Sequence, residues 1–220
     1  MPRKTNAALA VNLVLALAGG ASALWPAQAT AQAPGRAPAQ APAQAPAQVP
    51  SDRPATAVIR DVNGAVLGTL QIDRYDATKS RVTVNVRGLT PGFHGFHVHS
   101  SGVCDPKSVD AGTGSAFTSA GGHLEPGSSG DAAGNLPSLL AAADGTASAS
   151  FLTDRLTVNR LRDGDGSAII IHAKPDNFAN IPDRYTHPKD ETGTTGPDAT
   201  TLKTGDAGRR VACGVIRTPA

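Results

Sequence analysis

The chain has 220 residues with a formal net charge of +2 at pH 7, and aromatic residues make up only 4% of it. Cleavage of a leader that contains Arg3 and Lys4 would lower this charge to 0 (2 − 2). A neutral chain with few aromatic residues lacks the basic, aromatic-lined surfaces that bind nucleic acids, so we expect no nucleic-acid partner.

Residues 1–33 have the organisation of a secretory signal peptide. A short basic start precedes an apolar run over residues 7–24, and small-x-small cleavage patterns follow as far as Ala33. A membrane anchor is the alternative, but Asn12 and a pair of glycines interrupt a run that would need about 20 mostly apolar residues. We therefore predict an exported protein, either secreted or held in the cell envelope or periplasm.

Residues 34–54 are predicted to be a linker. Ala-Pro-Ala-Gln repeats dominate this segment, and such a composition favours a semi-rigid, polyproline-like spacer over a packed core. A docking site or a tether to the cell envelope is the alternative, but the composition favours a plain linker.

Residues 55–218 are predicted to form one domain of the all-β class. Residues 55–60 and 65–73 flank Asn63-Gly64, which is the strongest short signal for a hairpin turn. The other predicted strands are residues 81–87, the histidine run 91–99, and residues 145–153, 168–172 and 211–216, with a turn or short helical piece over 156–161. Short strands separated by turn signals indicate a sandwich or a barrel.

Two long segments, residues 100–135 and 173–209, lack strand patterning. Both are rich in glycine and aspartate, and each begins or ends beside a histidine or a cysteine. Structureless segments of this length are uncommon in compact domains and are usually functional. We expect a rigid sheet that carries two large loops around one site.

The most informative motif is the His-x-His pair formed by His97 and His99. In a β-strand every second side chain points to the same face, so the two imidazoles would lie side by side. His123 lies in a glycine-flanked loop, and His172 ends a hydrophobic strand. Imidazole is a ligand for copper, zinc, iron and nickel, so these histidines predict a metal site.

Cys104 and Cys213 are the only cysteines of the chain. In an exported protein an even number of cysteines favours a disulfide, whereas two free buried thiols are the alternative. A bridge between them would close a loop of about 109 residues and contribute roughly 4–5 kcal/mol by restricting the unfolded chain.

Several segments together resemble the copper/zinc superoxide dismutases, especially the exported enzymes of actinobacteria. The similarity extends over residues 55–217. The segments that carry it are His94-Gly95-Phe96-His97-Val98-His99, Gly102-Val103-Cys104, Gly121-Gly122-His123, Asp144-Gly145, Ile170-Ile171-His172 and the C-terminal run from Gly205 to Ile216. This resemblance implies a Greek-key barrel of about eight antiparallel strands and the conversion of superoxide, a small anion, to oxygen and hydrogen peroxide by copper redox cycling.

The resemblance also assigns roles to individual residues. The copper ligands would be His97, His99, His123 and His172, and His123 would also donate a proton. Arg210 would attract and orient superoxide, and Thr204 would narrow the access channel. Asp176 would hydrogen-bond a copper ligand, Cys104 and Cys213 would form the disulfide, and His94 would be structural. A homodimer is also expected as an option, through a surface that the sequence does not identify.

The chain departs from the family at the zinc site. That site uses the bridging histidine, two further histidines and an aspartate. Here His123 would match the bridge and Asp131 could match the aspartate, but residues 124–152 contain no other histidine or cysteine. Zinc prefers four ligands, so we predict a copper enzyme without this zinc site. His187 is more consistent with a surface residue than with a ligand.

Two other functions fit the same motifs less well. One is a copper-binding or copper-delivery protein without catalysis, which would be expected to lack a ligand or Arg210. The other is an interaction module of the cell envelope whose histidines are structural. We therefore predict an exported superoxide dismutase that protects the envelope from oxidants.

Overall fold

The computed structural model describes residues 53–125, 132–161, 163–186 and 193–218. The predicted signal peptide and most of the predicted linker lie outside these residues. The strands are β1 Ala55–Asp61, β2 Val66–Arg74, β3 Ser80–Val86, β4 Gly92–His99, β5 Asn135–Ala141, β6 Ala147–Thr153, β7 Ser167–His172 and β8 Arg210–Ile216. One short α-helix, α1 (Ala199–Thr204), and two 3₁₀ turns, Thr118–Ala120 and Val158–Leu161, complete the elements.

The eight strands form one antiparallel sheet in the order β5-β4-β7-β8-β1-β2-β3-β6. The edge strands β5 and β6 lie close to each other, so the sheet curls into a nearly closed barrel. Chain neighbours β3 and β4 are far apart in this order, which is the long crossover of a Greek key. The predicted all-β fold of about eight antiparallel strands is confirmed.

Strand periodicity explains where the barrel core lies. Side chains in β1 and β3 alternate between buried and exposed, because one face points into the barrel and the other to solvent. β4 and β7 differ, since nearly every residue of both strands is buried. Their inner faces join the barrel core, and their outer faces are covered by the two long loops. The site is built on these two covered faces.

Three elements were not predicted from the sequence: β5, α1 and the first 3₁₀ turn, Thr118–Ala120. β5 was missed because its buried residues do not alternate with exposed ones. Leu136 and Leu139 are three residues apart and both are buried, while Pro137 between them is exposed. A bulge where β5 pairs with β4 breaks the period of two, and proline is tolerated on an edge strand. Helix α1 was missed inside the second loop, where the Asp198 side chain caps it by accepting a hydrogen bond from the Thr201 N–H at 2.8 Å.

The remaining strand predictions differ from the structure by one or two residues at their ends, and the predicted helical piece near residue 160 is the second 3₁₀ turn. Among the described residues, no helix combines the length and the apolar character needed to span a membrane.

Candidate metal centre

Four buried histidines converge on one point beside β4 and β7. The structure brings His97, His99, His123 and His172 together so that one nitrogen from each lies within 4.8 Å of the others. Two come from β4, one from the first long loop and one from the end of β7. These are the four residues predicted from the sequence as copper ligands.

Backbone pairing fixes the loop that carries His123. The Leu124 N–H donates to the carbonyl of Val98 at 2.9 Å, and the Ser100 N–H donates to the carbonyl of Gly122 at 3.0 Å. His99 and His123 thereby form an isolated antiparallel bridge. His123 therefore lies next to the His-x-His pair, and its backbone is fixed there as it would be in a strand.

Three of the rings are oriented by a hydrogen bond at the nitrogen that faces away from the cluster. His97 Nε2 donates to Asp176 Oδ2, and both side chains are fully buried. His99 Nδ1 donates to the carbonyl of Gly121, and His172 Nδ1 donates to the carbonyl of Gly208, both at 2.9 Å. Partners of this kind select the tautomer and the ring orientation of a metal-binding histidine.

The nitrogens that face the cluster have no protein partner. His97 Nδ1, His99 Nε2 and His172 Nε2 are buried and make no hydrogen bond with the described residues. Burying an unpaired nitrogen is costly, and three around one point indicate a missing shared partner. A set of imidazole nitrogens is a good donor set for copper, so the residues present fit the metal expected from the sequence.

Burial also keeps these rings neutral. It lowers the pKa of His99 well below its usual 6.5, that of His123 to about 4 and that of His172 to about 3, with the other rings and Arg210 adding to the effect. A histidine must be neutral to bind a metal through its ring nitrogen, so the site is ready to accept one at neutral pH.

Arg210 lies beside the histidines and is held by the backbone. Its Nη1 and Nη2 donate to the carbonyls of Phe117 and Gly121, each at 2.6 Å, and its own N–H donates to Ser115 Oγ at 3.0 Å. The Gly121 carbonyl thus accepts from both His99 and Arg210. Burial lowers the pKa of the guanidinium and Asp110 raises it, and an arginine remains charged at neutral pH.

An open cavity of about 850 Å³ leads from the surface to three of the histidines and to Arg210. Thr204 lies in its lining, where its hydroxyl donates to the carbonyl of Thr200 at 2.9 Å. Four cationic side chains and two carboxylates line it: Lys174, Lys203, Arg209 and Arg210 against Asp110 and Asp206. The excess of positive charge favours the entry of a small anion.

The disulfide predicted from the sequence is confirmed. Cys104 and Cys213 are bonded with their Cα atoms 5.7 Å apart, which ties the first long loop to β8. The buried ring of Phe117 packs with Cys213 in a small apolar cluster outside the barrel. This cluster supports the segment whose carbonyls hold Arg210.

Of the other predicted site residues, some are described by the structure and some lie outside the described residues. His94 lies outside the four-histidine group, with its Nδ1 against the carbonyl of His172 at 2.6 Å and its Nε2 against the carbonyl of Thr90 at 2.8 Å. Asp131 and His187 lie outside the described residues. Among those that are described, the four histidines are the only group of three or more potential ligands.

The sequence analysis did not identify the residues whose backbone carbonyls accept hydrogen bonds from the histidines and from Arg210. The carbonyls of Phe117, Gly121 and Gly208 act through the backbone, so no side-chain signal identifies them. Phe117 has a φ of 58°, which is unusual for a residue other than glycine, and this conformation cannot be read from the sequence. Asn135, which lies opposite His97 across the β4–β5 pair, was missed together with the strand that it begins.

Known proteins resemble this chain over the same region. Residues 66–216 match the family model described as copper/zinc superoxide dismutase. A Cu-Zn superoxide dismutase of Mycobacterium tuberculosis is 54% identical over 146 residues, which cover 64% of this chain and 59% of the relative, so the match spans less than two thirds of that protein. One from Caulobacter vibrioides is 34% identical over 172 residues, covering 74% of this chain and 85% of the relative.

Solved structures show the same architecture. The Cu/Zn superoxide dismutase of Brucella abortus superposes with a TM-score of 0.54 at 27% identity, over 75% of this chain and 100% of that one. A superoxide-dismutase-like protein from Bacillus subtilis gives a TM-score of 0.53 at 23% identity, over 74% and 97% of the two chains, and supports the fold alone.

Proposed function

Since the chain belongs to the copper/zinc superoxide dismutase family, we propose that it is an enzyme that converts superoxide to oxygen and hydrogen peroxide. The observation that carries the proposal is the pairing of two features. Buried, partner-less imidazole nitrogens converge on one point, and a backbone-held guanidinium stands beside them at the end of a cation-lined cavity.

The protein residues divide the work of such a reaction. Copper held by His97, His99, His123 and His172 would supply the reversible one-electron change that dismutation requires. The cations of the cavity draw superoxide inward, and Arg210 holds it next to the histidines by charge and hydrogen bonding. His123 is the least buried of the four rings, so it is the one best placed to exchange a proton with solvent and pass it to the product.

Activity and metal content of the purified chain test this function. Copper-loaded protein is expected to remove superoxide, to lose this activity on chelation and to regain it when copper is restored. A variant with His172→Gln, which removes one ligand, is the matched inactive control. Tight copper binding without dismutation would contradict the proposal and favour the copper-delivery role.

We further propose that the enzyme works with copper alone. A second metal beside His123 would need additional ligands, and within the described ranges no second group of potential ligands accompanies the four histidines. Elemental analysis of protein supplied with both metals is expected to give one copper and no stoichiometric zinc per chain. Zinc in an amount close to that of copper would overturn the proposal.

The cellular role is proposed from the N-terminal sequence. A signal-like segment at residues 1–33 and an Ala/Pro/Gln-rich segment at residues 34–54 support export and protection of the cell envelope from oxidants. Detection of the protein in the envelope or culture medium, with a new N-terminus near Ala33, would support this role. Retention of the uncleaved chain inside the cytoplasm would contradict it.

A homodimer is supported by an exposed apolar face. Phe93 and Leu140 are cross-strand neighbours on β4 and β5 and are 55% and 58% exposed. Phe93 also lines an open groove of about 700 Å³ together with Leu152 and Phe178, which are 45% and 44% exposed. Four such side chains, at about 100 Å² each, would supply the apolar centre of an interface that buries about 800 Å² per partner. Sedimentation of the wild type and of a Phe93→Asp variant tests it, and a monomeric wild type would refute it.

A further inference from the structure

The first long loop holds Arg210 by its backbone as well as by its guanidinium. The guanidinium donates to the carbonyls of Phe117 and Gly121, and the backbone N–H of Arg210 donates to Ser115 Oγ at 3.0 Å. We propose that Ser115 is a positioning residue for Arg210: its hydroxyl fixes the start of β8, so that the guanidinium stays where it meets an anion beside the histidines. This inference rests on the proposed function.

The sheet leaves the N–H of Arg210 without a strand partner. The carbonyl of Arg209 accepts from the Ala173 N–H at 2.8 Å, on the β7 side of β8. The C=O and N–H of one trans peptide group point in opposite directions, so the Arg210 N–H points to the other side. β1 lies on that side, but it ends at Asp61 and does not extend as far as Arg210. Ser115 Oγ therefore supplies the acceptor that the sheet does not.

Ser115 is itself held in a short turn of the loop. The Asp110 N–H donates to the carbonyl of Ser115 at 2.9 Å, and the Gly114 N–H donates to the carbonyl of Asp110 at 2.8 Å. The Asp110 carboxylate closes the turn by accepting from the N–H and the hydroxyl of Thr113, at 2.7 Å and 2.8 Å. Two residues after Ser115, the ring of Phe117 is only 2% exposed within an apolar cluster. The hydroxyl is consequently presented from a fixed backbone.

One loop thus fixes both ends of Arg210 and relates them to the metal centre. The Gly121 carbonyl also accepts from His99 Nδ1 at 2.9 Å, so the guanidinium is placed relative to a predicted copper ligand. Ser115 and Arg210 both line the access cavity, so water can replace the hydroxyl in a variant that lacks it. The start of β8 is then free to move away from the loop. The charge would remain in the cavity, but its position would no longer be fixed.

Amide exchange at Arg210 tests the hydrogen bond without copper. Ser115→Val and Ser115→Thr have the same shape and differ only in that valine lacks the hydroxyl. In the metal-free chain, we expect the Arg210 N–H of the valine variant, followed by nuclear magnetic resonance, to exchange at least about fivefold faster than in the wild type. The threonine variant keeps the acceptor and should exchange at the wild-type rate. Ser150→Val is the matched control, since Ser150 bonds Thr83 on an exposed sheet face.

Azide binding to copper-loaded protein tests the effect on the position of the charge. Azide is a small anion that binds Cu(II), and its affinity is measured by titration of the visible absorption. We expect Ser115→Val to raise the Kd of azide about threefold and to lower kcat/KM for superoxide by a similar factor, with unchanged copper content. Ser115→Thr should keep the wild-type values. Arg210→Ala should raise the Kd further, because it removes the charge itself.

The outcomes separate this inference from the proposed function. If the added methyl group prevents the valine or threonine variant from folding, Ser115→Ala decides, since it only removes an atom. Wild-type exchange and azide affinity in the alanine variant, or equal changes in the valine and threonine variants, would overturn the role of Ser115. A wild-type chain that binds copper without dismutation would overturn the function, while the exchange result for Ser115 would stand.

Discussion

Asp176 and His97 form a fully buried hydrogen bond between residues that are 79 positions apart in the chain. The second carboxylate oxygen, Oδ1, accepts from the Phe178 N–H at 2.6 Å, so Asp176 links the second long loop to β4. The contact fixes the ring of one predicted copper ligand and anchors a loop that lines the access cavity.

Replacing Asp176 by asparagine is expected to weaken copper binding by about 10- to 100-fold. Asparagine is similar in shape but lacks the charge that makes the imidazole a stronger donor. Competition with a copper chelator measures the change. Asp144→Asn, in an exposed turn where the carboxylate bonds Thr146, is the matched control. Equal affinities for the Asp176 variant and the wild type would contradict the prediction.

Gly205→Ala is expected to disturb the same carboxylate from the other side. Gly205 has a φ of +55°, and a Cβ atom added there would lie 1.7 Å from Asp176 Oδ1. The carboxylate must move, so we predict weaker copper binding, comparable to that of Asp176→Asn, together with lower stability. Gly64→Ala is the control, because Gly64 also has a positive φ but nothing lies within 4 Å of an added Cβ atom. This variant should lose stability without losing copper affinity.

Arg210→Ala is expected to lower kcat/KM roughly tenfold at low ionic strength and to flatten its dependence on salt, since a steering charge is lost. Copper content should not change, because Arg210 is not a ligand. Arg210→Lys keeps the charge but cannot bond both the Phe117 and Gly121 carbonyls in the same way, so an intermediate rate is expected. Arg81→Ala, at an exposed position of β3 outside the cavity lining, is the control, and wild-type kinetics for Arg210→Ala would refute the role.

Removing the disulfide is expected to affect both stability and rate. The bridge closes a loop of 109 residues, so a double Cys104→Ser, Cys213→Ser variant should lose about 4–5 kcal/mol of unfolding free energy. Urea denaturation measures this loss. The folded fraction should also be less active, because the bridge ties down the loop that positions Arg210. If the double variant has the kcat/KM of the wild type, the disulfide does not contribute to positioning Arg210.

The metal-free protein is expected to lose stability as the pH falls. The pKa values of His123 and His172 are about 4 and about 3 in the folded chain, below the usual 6.5 of an unfolded one. Between the folded pKa values and 6.5 the unfolded state therefore binds more protons than the folded state. The contribution of these two histidines to the free energy of unfolding is complete above about pH 6.5 and is lost as the pH falls toward 4. Urea midpoints measured from pH 7 to pH 4.5 should decrease. His172→Gln should reduce the slope, and a flat profile for the wild type would contradict the prediction.

Part of the fold was predictable because the local pattern was strong. β3 alternates with period two, and the Asn63-Gly64 turn joins β1 to β2, so both were recognisable from neighbouring residues alone. β5 was not predictable, because its bulge and Pro137 obscure the period, and its pairing with β4 is what makes it a strand.

The sequence by itself determined which side chains bring chemistry to this protein. Histidines spaced for a strand face, two cysteines in an exported chain and a family-matched arginine identify the metal site, the disulfide and the anion-attracting charge. Only the tertiary structure decided how these groups are held. The carbonyls that hold Arg210, His99 and His172 belong to backbone that any residue could supply, and Asp176 reaches His97 across 79 positions of the chain. Such contacts depend on long-range pairing, which no local sequence pattern encodes.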